Sequence, residues 1–154
     1  MEPPGISDST ASRQGAGQAF DIVAYDEREH RGFVVPTFLE SMSSQWLWAT
    51  WPHSVLEHRL LDTIHRGARA LVATAPGEPD VRCGWLVAIP ERNLVIAAYT
   101  LRKLRRRWGI ATALAEAAGI DMRAPVGVWF WTYACERMVT EHGKRLYHRV
   151  TELE

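Results

Sequence analysis

Lysine is almost missing from this chain: of its 18 basic residues only Lys103 and Lys144 are not arginine, a bias we read as genomic composition. Cysteine is scarce too. Cys83 and Cys135 lack CxxC spacing and fit reduced thiols in a cytoplasm. An excess of either charge is also missing, because 18 acidic residues balance the 18 basic ones and the isoelectric point falls near 7.0. Nothing in that total argues for nucleic acid or an anionic membrane as partner. No apolar run approaches the roughly 20 residues that a spanning helix needs, and the start has no basic segment leading into an apolar one. We therefore expect a soluble cytoplasmic protein without membrane partners.

What is present is enough chain, 154 residues of average hydrophobic content, to bury one core. Residues 1–18, rich in Pro, Gly and Ser, read as a disordered arm, leaving 19–154 as a single domain. Residues 20–25 (FDIVAY) alternate as a strand does. The acidic run Asp26, Glu27, Arg28, Glu29 suits the first turn of a helix continuing through Phe33, Val34, Phe38, Leu39 and Met42, although Pro36 would also serve as that helix's start. A second helix, opened by His53 or Ser54, carries Leu56, Leu60, Leu61 and Ile64 as its buried stripe. On another face His58, Asp62 and His65 have metal-ligand spacing, but without an HExxH frame or further ligands we read a solvated face and no metal site. Segments 68–74, 81–89 and 93–100 then read as three strands joined by turn-like connectors, an antiparallel meander. After a third helix ending at Gly119, an unbroken apolar run at 126–132 reads as a covered strand. A short helix over 134–142 stops at Gly143, and an alternating segment at 144–150 forms the last strand.

The most informative stretch is 94–119 (LVIAAYTLRKLRRRWGIATALAEAAG), where a β-branched run meets a basic loop and then an alanine-rich helix. A helix N-terminus offers unpartnered N–H groups and a partial positive charge, so strand, basic turn and helix start together make an anion site. Gly109 lets a ligand approach the backbone. The run Arg106, Arg107, Trp108, Gly109, Ile110, Ala111 reads Arg-x-x-Gly-x-Ala. That pattern resembles the acetyl-coenzyme A pyrophosphate loop of the GNAT N-acetyltransferase superfamily, and the order of elements from Phe20 onward is similar to that fold, with only its final strand without a counterpart.

The resemblance implies an α/β fold of GNAT type: a mixed, mostly antiparallel sheet with helices on both faces. It implies acetyl-coenzyme A as cosubstrate, wedged where the 93–100 strand splays from the 126–132 strand. Amides around Trp108, Gly109, Ile110 and Ala111 would hold the pyrophosphate, with Thr112 adding a hydroxyl, Leu101 aligning its amide with the pantetheine, and Arg102, Arg105, Arg106 and Arg107 adding charge. One open N–H near the thioester would stabilise an oxyanion.

The catalytic half departs from the family pattern, whose general-acid tyrosine position is Val139 here and whose asparagine position is Thr132. Tyr133 and Tyr147 are the alternative acids, and Glu91 and Tyr99 the nearest bases. Trp46, Trp48 and Trp51, in the connector 43–52, either pack over the core or shape an acceptor site for a small or partly hydrophobic amine. Two functions of different class follow: an N-acyltransferase attacking acetyl-coenzyme A directly with an amine, or a non-catalytic GNAT-like module contacting protein or nucleic acid. Nucleic-acid binding through Arg102 to Arg107 alone is disfavoured by the neutral total charge. A missing last strand would leave an edge at which a second copy pairs.

Overall fold

The computed structural model describes residues 20–101 and 109–148. The arm 1–18, the basic residues Arg102, Lys103, Arg105, Arg106 and Arg107, Trp108, and residues 149–150 of the expected last strand lie outside the described residues.

Strand β1 (Asp21–Ala24) leads into α1 (Glu27–Ser43) and α2 (His53–His65), and the meander β2 (Arg69–Ala75), β3 (Glu78–Ile89) and β4 (Leu94–Thr100) follows. A single 3-10 turn, Pro90–Arg92, joins the last two. Next come α3 (Ile110–Ala117), β5 (Val126–Val128), α4 (Tyr133–His142) and β6 (Leu146–His148). The strands form one mixed sheet in sequence order: β1 to β4 pair antiparallel, whereas β4 with β5 and β5 with β6 pair parallel. Among the described residues no helix is long and apolar enough to cross a membrane.

Two apolar layers cover the sheet. On one face α3 packs through Ile110, Leu114 and Ala115 over Leu71, Ala73, Leu86 and Val95. On the other, α1 and α2 pack through Val34, Phe38, Leu56 and Leu60 over Val72, Trp85, Val87 and Ile96. This is the mixed α/β sheet with helices on both faces expected from the sequence, and among the described residues β1 and β6 are its outer strands.

Helix α1 starts at Glu27 rather than at Pro36, because Asp26 caps it. Asp26 Oδ2 accepts the Glu29 N–H at 3.0 Å, and the Asp26 N–H in turn donates to His30 Nδ1 at 2.8 Å. With both ends of that exchange satisfied, Pro36 is carried inside the helix, where it lacks only one donor. Strand β3 begins at Glu78, three residues earlier than the apolar pattern suggests, since its first four residues are exposed. Strand β5 is shorter than the apolar run 126–132: it ends at Val128, and the chain bends away.

The ladder between β3 and β4 shifts register once. Val87 faces Ala97 but Ala88 faces Val95, so Ile96 is an extra residue in β4, a β-bulge. Because side chains alternate along a strand, one inserted residue moves everything beyond it to the other face. Ile96 and Ala97 therefore both belong to the layer under α1 and α2.

Candidate active site

Beyond the bulge, β4 and β5 part. Trp129 N–H donates to the Val95 carbonyl at 2.9 Å and Phe130 N–H to the Ile96 carbonyl at 3.0 Å, two consecutive carbonyls turned to the same neighbour. Strand β4 then runs on to Thr100, while the chain after Phe130 leaves the sheet toward α4. On the other side β4 stays paired, and the Leu101 N–H donates to the Cys83 carbonyl at 2.9 Å. Antiparallel alternation therefore turns the N–H and C=O of Ala98 away from β3, toward the gap. Ala98 is solvent-exposed in a strand where Ala97 before it is buried, Tyr99 after it half-buried and Thr100 buried again. The opening lies at the carboxyl ends of two parallel strands, the usual place for a ligand in an α/β sheet.

The N-terminus of α3 is held at this opening by a glycine on β3. A Cβ on Gly84 would lie 2.6 Å from the Tyr99 carbonyl oxygen and 3.3 Å from Ile110 Cγ2, so only glycine lets Ile110 settle onto the strand. Gly109 caps the helix in the left-handed conformation, φ +59°, with no side-chain cap bond, and open space surrounds its missing Cβ. The first bond back into the helix is Ala113 N–H to the Gly109 carbonyl at 3.0 Å. The amides of Ile110, Ala111 and Thr112 thus have no intrahelical acceptor, and the positive end of the helix dipole sits with them.

The opposite wall is aromatic. Trp48 is buried, stacks on Trp129 at 5.8 Å, and meets Phe130 edge-on at 5.1 Å. Its indole N–H donates to the Trp131 carbonyl at 2.9 Å, so the connector between α1 and α2 is fastened to the segment that leaves β5. Trp51 packs edge-on against Trp48 at 5.3 Å, and the Arg59 guanidinium lies 5.6 Å over the Trp129 ring. Trp46, by contrast, is 71% exposed. The three tryptophans divide: Trp48 is core, Trp51 its cover, and Trp46 surface.

Of the tyrosines, Tyr99 and Tyr133 flank the opening. Tyr99 is half-buried on the α1 face, stacked on Trp85 at 6.4 Å and edge-on to Phe33 at 6.1 Å. Tyr133 opens α4, is exposed, and donates its backbone N–H to Gln45 Oε1 at 2.7 Å. Tyr147 and Glu91 stand elsewhere. Tyr147 faces Gly127 in the β5 to β6 ladder, its phenol oxygen 3.1 Å from where a Gly127 Cβ would be, beside Leu94 at the start of β4. Glu91 is exposed in the 3-10 turn before that same end. The seven residues of β4 separate it from Leu101, about 20 Å of strand.

Val139 is half-buried on α4. Burial pushes the thiol pKa of Cys135, on the same helix, up, against hydrogen bonds with Thr132 that lower it. The face of α2 bearing His58, Asp62 and His65 is spent on surface pairs, Asp62 with Arg66 at 3.0 Å and His65 with Glu27 at 3.4 Å. No metal-binding cluster occurs among the described residues.

Three features of the opening had no signal in the sequence. The run LVIAA gives no hint that Ile96 bulges, Gly84 reads as an ordinary strand glycine, and Gln45 as a loop residue. Comparison with protein-family models, curated proteins and solved structures returns no match.

Proposed function

We propose that this chain is a cytoplasmic N-acyltransferase of GNAT type that holds acetyl-coenzyme A in the opening between β4 and β5 while an amine attacks the thioester. The observation that carries this reading is the outward-turned backbone of Ala98 at the point where the strands part, next to the amides of Ile110, Ala111 and Thr112, which have no acceptor within the helix. Those amides, with Gly109, Trp108, Arg102, Arg106 and Arg107, would hold the pyrophosphate. The pantetheine would run along the free side of β4 past Leu101 as an added strand. The amine nitrogen bonds to the acetyl carbon, and the oxygen of the tetrahedral intermediate accepts the Ala98 N–H. As the C–S bond breaks, the thiolate takes a proton from Tyr99 or Tyr133 or through water, and the ammonium proton goes to solvent.

Release of the coenzyme A thiol from acetyl-coenzyme A, followed with and without a panel of amines, tests the reading. Amine-dependent release that falls in a Tyr99→Phe or Tyr133→Phe variant supports it. Tight binding of acetyl-coenzyme A with no release for any amine instead favours a non-catalytic module.

A further inference from the structure

We propose that His30 and Arg82 form a carboxylate-binding corner in the acceptor site, so that the amine acylated here carries a carboxylate group. The inference rests on the acyltransferase reading and names its substrate class.

Arg82 reaches this corner through a second bulge. In the β2 to β3 ladder Ala73 faces Gly84 but Thr74 faces Arg82, so Cys83 is the extra residue and Arg82 turns to the α1 face. Tyr99 and Trp85 lie on that face, one step along the sheet. Arg82 Nε is buried with no hydrogen-bond partner, and no carboxylate pairs with this guanidinium among the described residues. Asp21, in the same cross-strand row beyond Thr74, accepts the Gly77 N–H on its Oδ2 at 3.1 Å. Arg82 itself is half-buried, and a buried guanidinium N–H without an acceptor is rare in folded proteins and asks for a ligand.

His30 supplies a second donor from α1. Only 4% exposed, it accepts the Asp26 N–H on Nδ1 at 2.8 Å, which leaves the proton of the neutral ring on Nε2. Burial, and then the nearby charge of Arg82, hold its pKa below the usual histidine value, so the ring is neutral and donates from Nε2. No described residue accepts from that nitrogen. A guanidinium N–H and an imidazole N–H, both without acceptors, match the two oxygens of a carboxylate. Phe33, one turn along α1 from His30, meets Tyr99 edge-on at 6.1 Å, an apolar flank that suits the side chain of an amino acid.

The test pairs phenylalanine with phenethylamine and leucine with 3-methylbutylamine as acceptors, together with Arg82→Gln, Arg82→Lys and calorimetry of acetyl-coenzyme A. We expect the amino acids to be preferred by about ten- to a hundredfold in kcat/KM. Arg82→Gln should erase that preference through KM, and Arg82→Lys should retain part of it, with acetyl-coenzyme A affinity and the thermal midpoint unchanged in both. Equal use of each pair, or a preference that survives in Arg82→Gln, overturns the inference while leaving the acyltransferase reading intact. Weaker acetyl-coenzyme A binding in Arg82→Gln also overturns it, by assigning the anion to the cofactor. Absence of acetyl-coenzyme A binding in the wild type removes the acyltransferase reading, and this inference falls with it.

Discussion

Phe130 donates its backbone N–H to the Ile96 carbonyl at 3.0 Å, at the residue where β4 bulges and the sheet begins to open. The bulge decides two things together. It turns consecutive carbonyls of β4 toward β5, ending regular pairing, and it switches the alternation so that Ala97 and Tyr99 fall under α1. Without Ile96 as an extra residue, Tyr99 would face α3 and Ala98 would face α1.

The opening depends on Gly84. Gly84→Ala puts a methyl group 2.6 Å from the Tyr99 carbonyl oxygen, a backbone atom that cannot step aside cheaply. We expect a loss of about 1–3 kcal/mol in urea unfolding. The same substitution should lower any coenzyme A affinity, because Ile110 and the α3 N-terminus are lifted from the strand.

Trp48 and Trp46 should behave as opposites. Trp48→Ala removes a buried indole, its bond to the Trp131 carbonyl and its stack on Trp129, and should destabilise the protein by about 3–5 kcal/mol. Trp46→Ala, at an exposed site, should change stability by less than about 0.5 kcal/mol. Chemical unfolding of the two variants checks both, and comparable losses would mean that the connector is packed differently.

Stability should fall on mild acidification because of His30. Its folded pKa lies below the unfolded value, so below that unfolded value the denatured chain binds a proton that the native ring resists. The contribution is present above the unfolded pKa and is lost as the pH falls from there toward the folded pKa. Unfolding free energies at about pH 7.5 and about pH 5 should differ in the wild type and differ less in His30→Gln. Burial raises the Glu27 carboxyl, but hydrogen bonds from Arg31, Tyr25 and His65 together hold it below its usual value.

Most of the elements were legible in the sequence because each carries its own local signal. Asp26 before an acidic turn, alternating or β-branched runs, and Gly119 and Gly143 at helix ends all act within a few residues. The pairing of His30 with Asp26 was not legible, so Pro36 competed as a helix start. Nor was the division of the tryptophans, since Trp48 is buried by Trp129 and Phe130, some eighty residues away in sequence. The ends of β5 could not be read either: Trp129 and Phe130 are as apolar as a strand interior, but their N–H groups answer to the bulge in β4. Arg82 carries no local signal, because its orphaned Nε exists only once the bulge at Cys83 has turned it inward.

The most direct test of the account is calorimetric titration of the protein and its Gly109→Asp variant with acetyl-coenzyme A, at low and moderate salt. Aspartate tolerates the left-handed conformation better than most residues, and open space surrounds the missing Cβ, so the variant should fold with a penalty of about 1–2 kcal/mol. The account predicts micromolar binding by the wild type, little changed by salt, and none by the variant, whose carboxylate would occupy the phosphate position. No binding by the wild type at either salt, or equal binding by the two proteins, would contradict it.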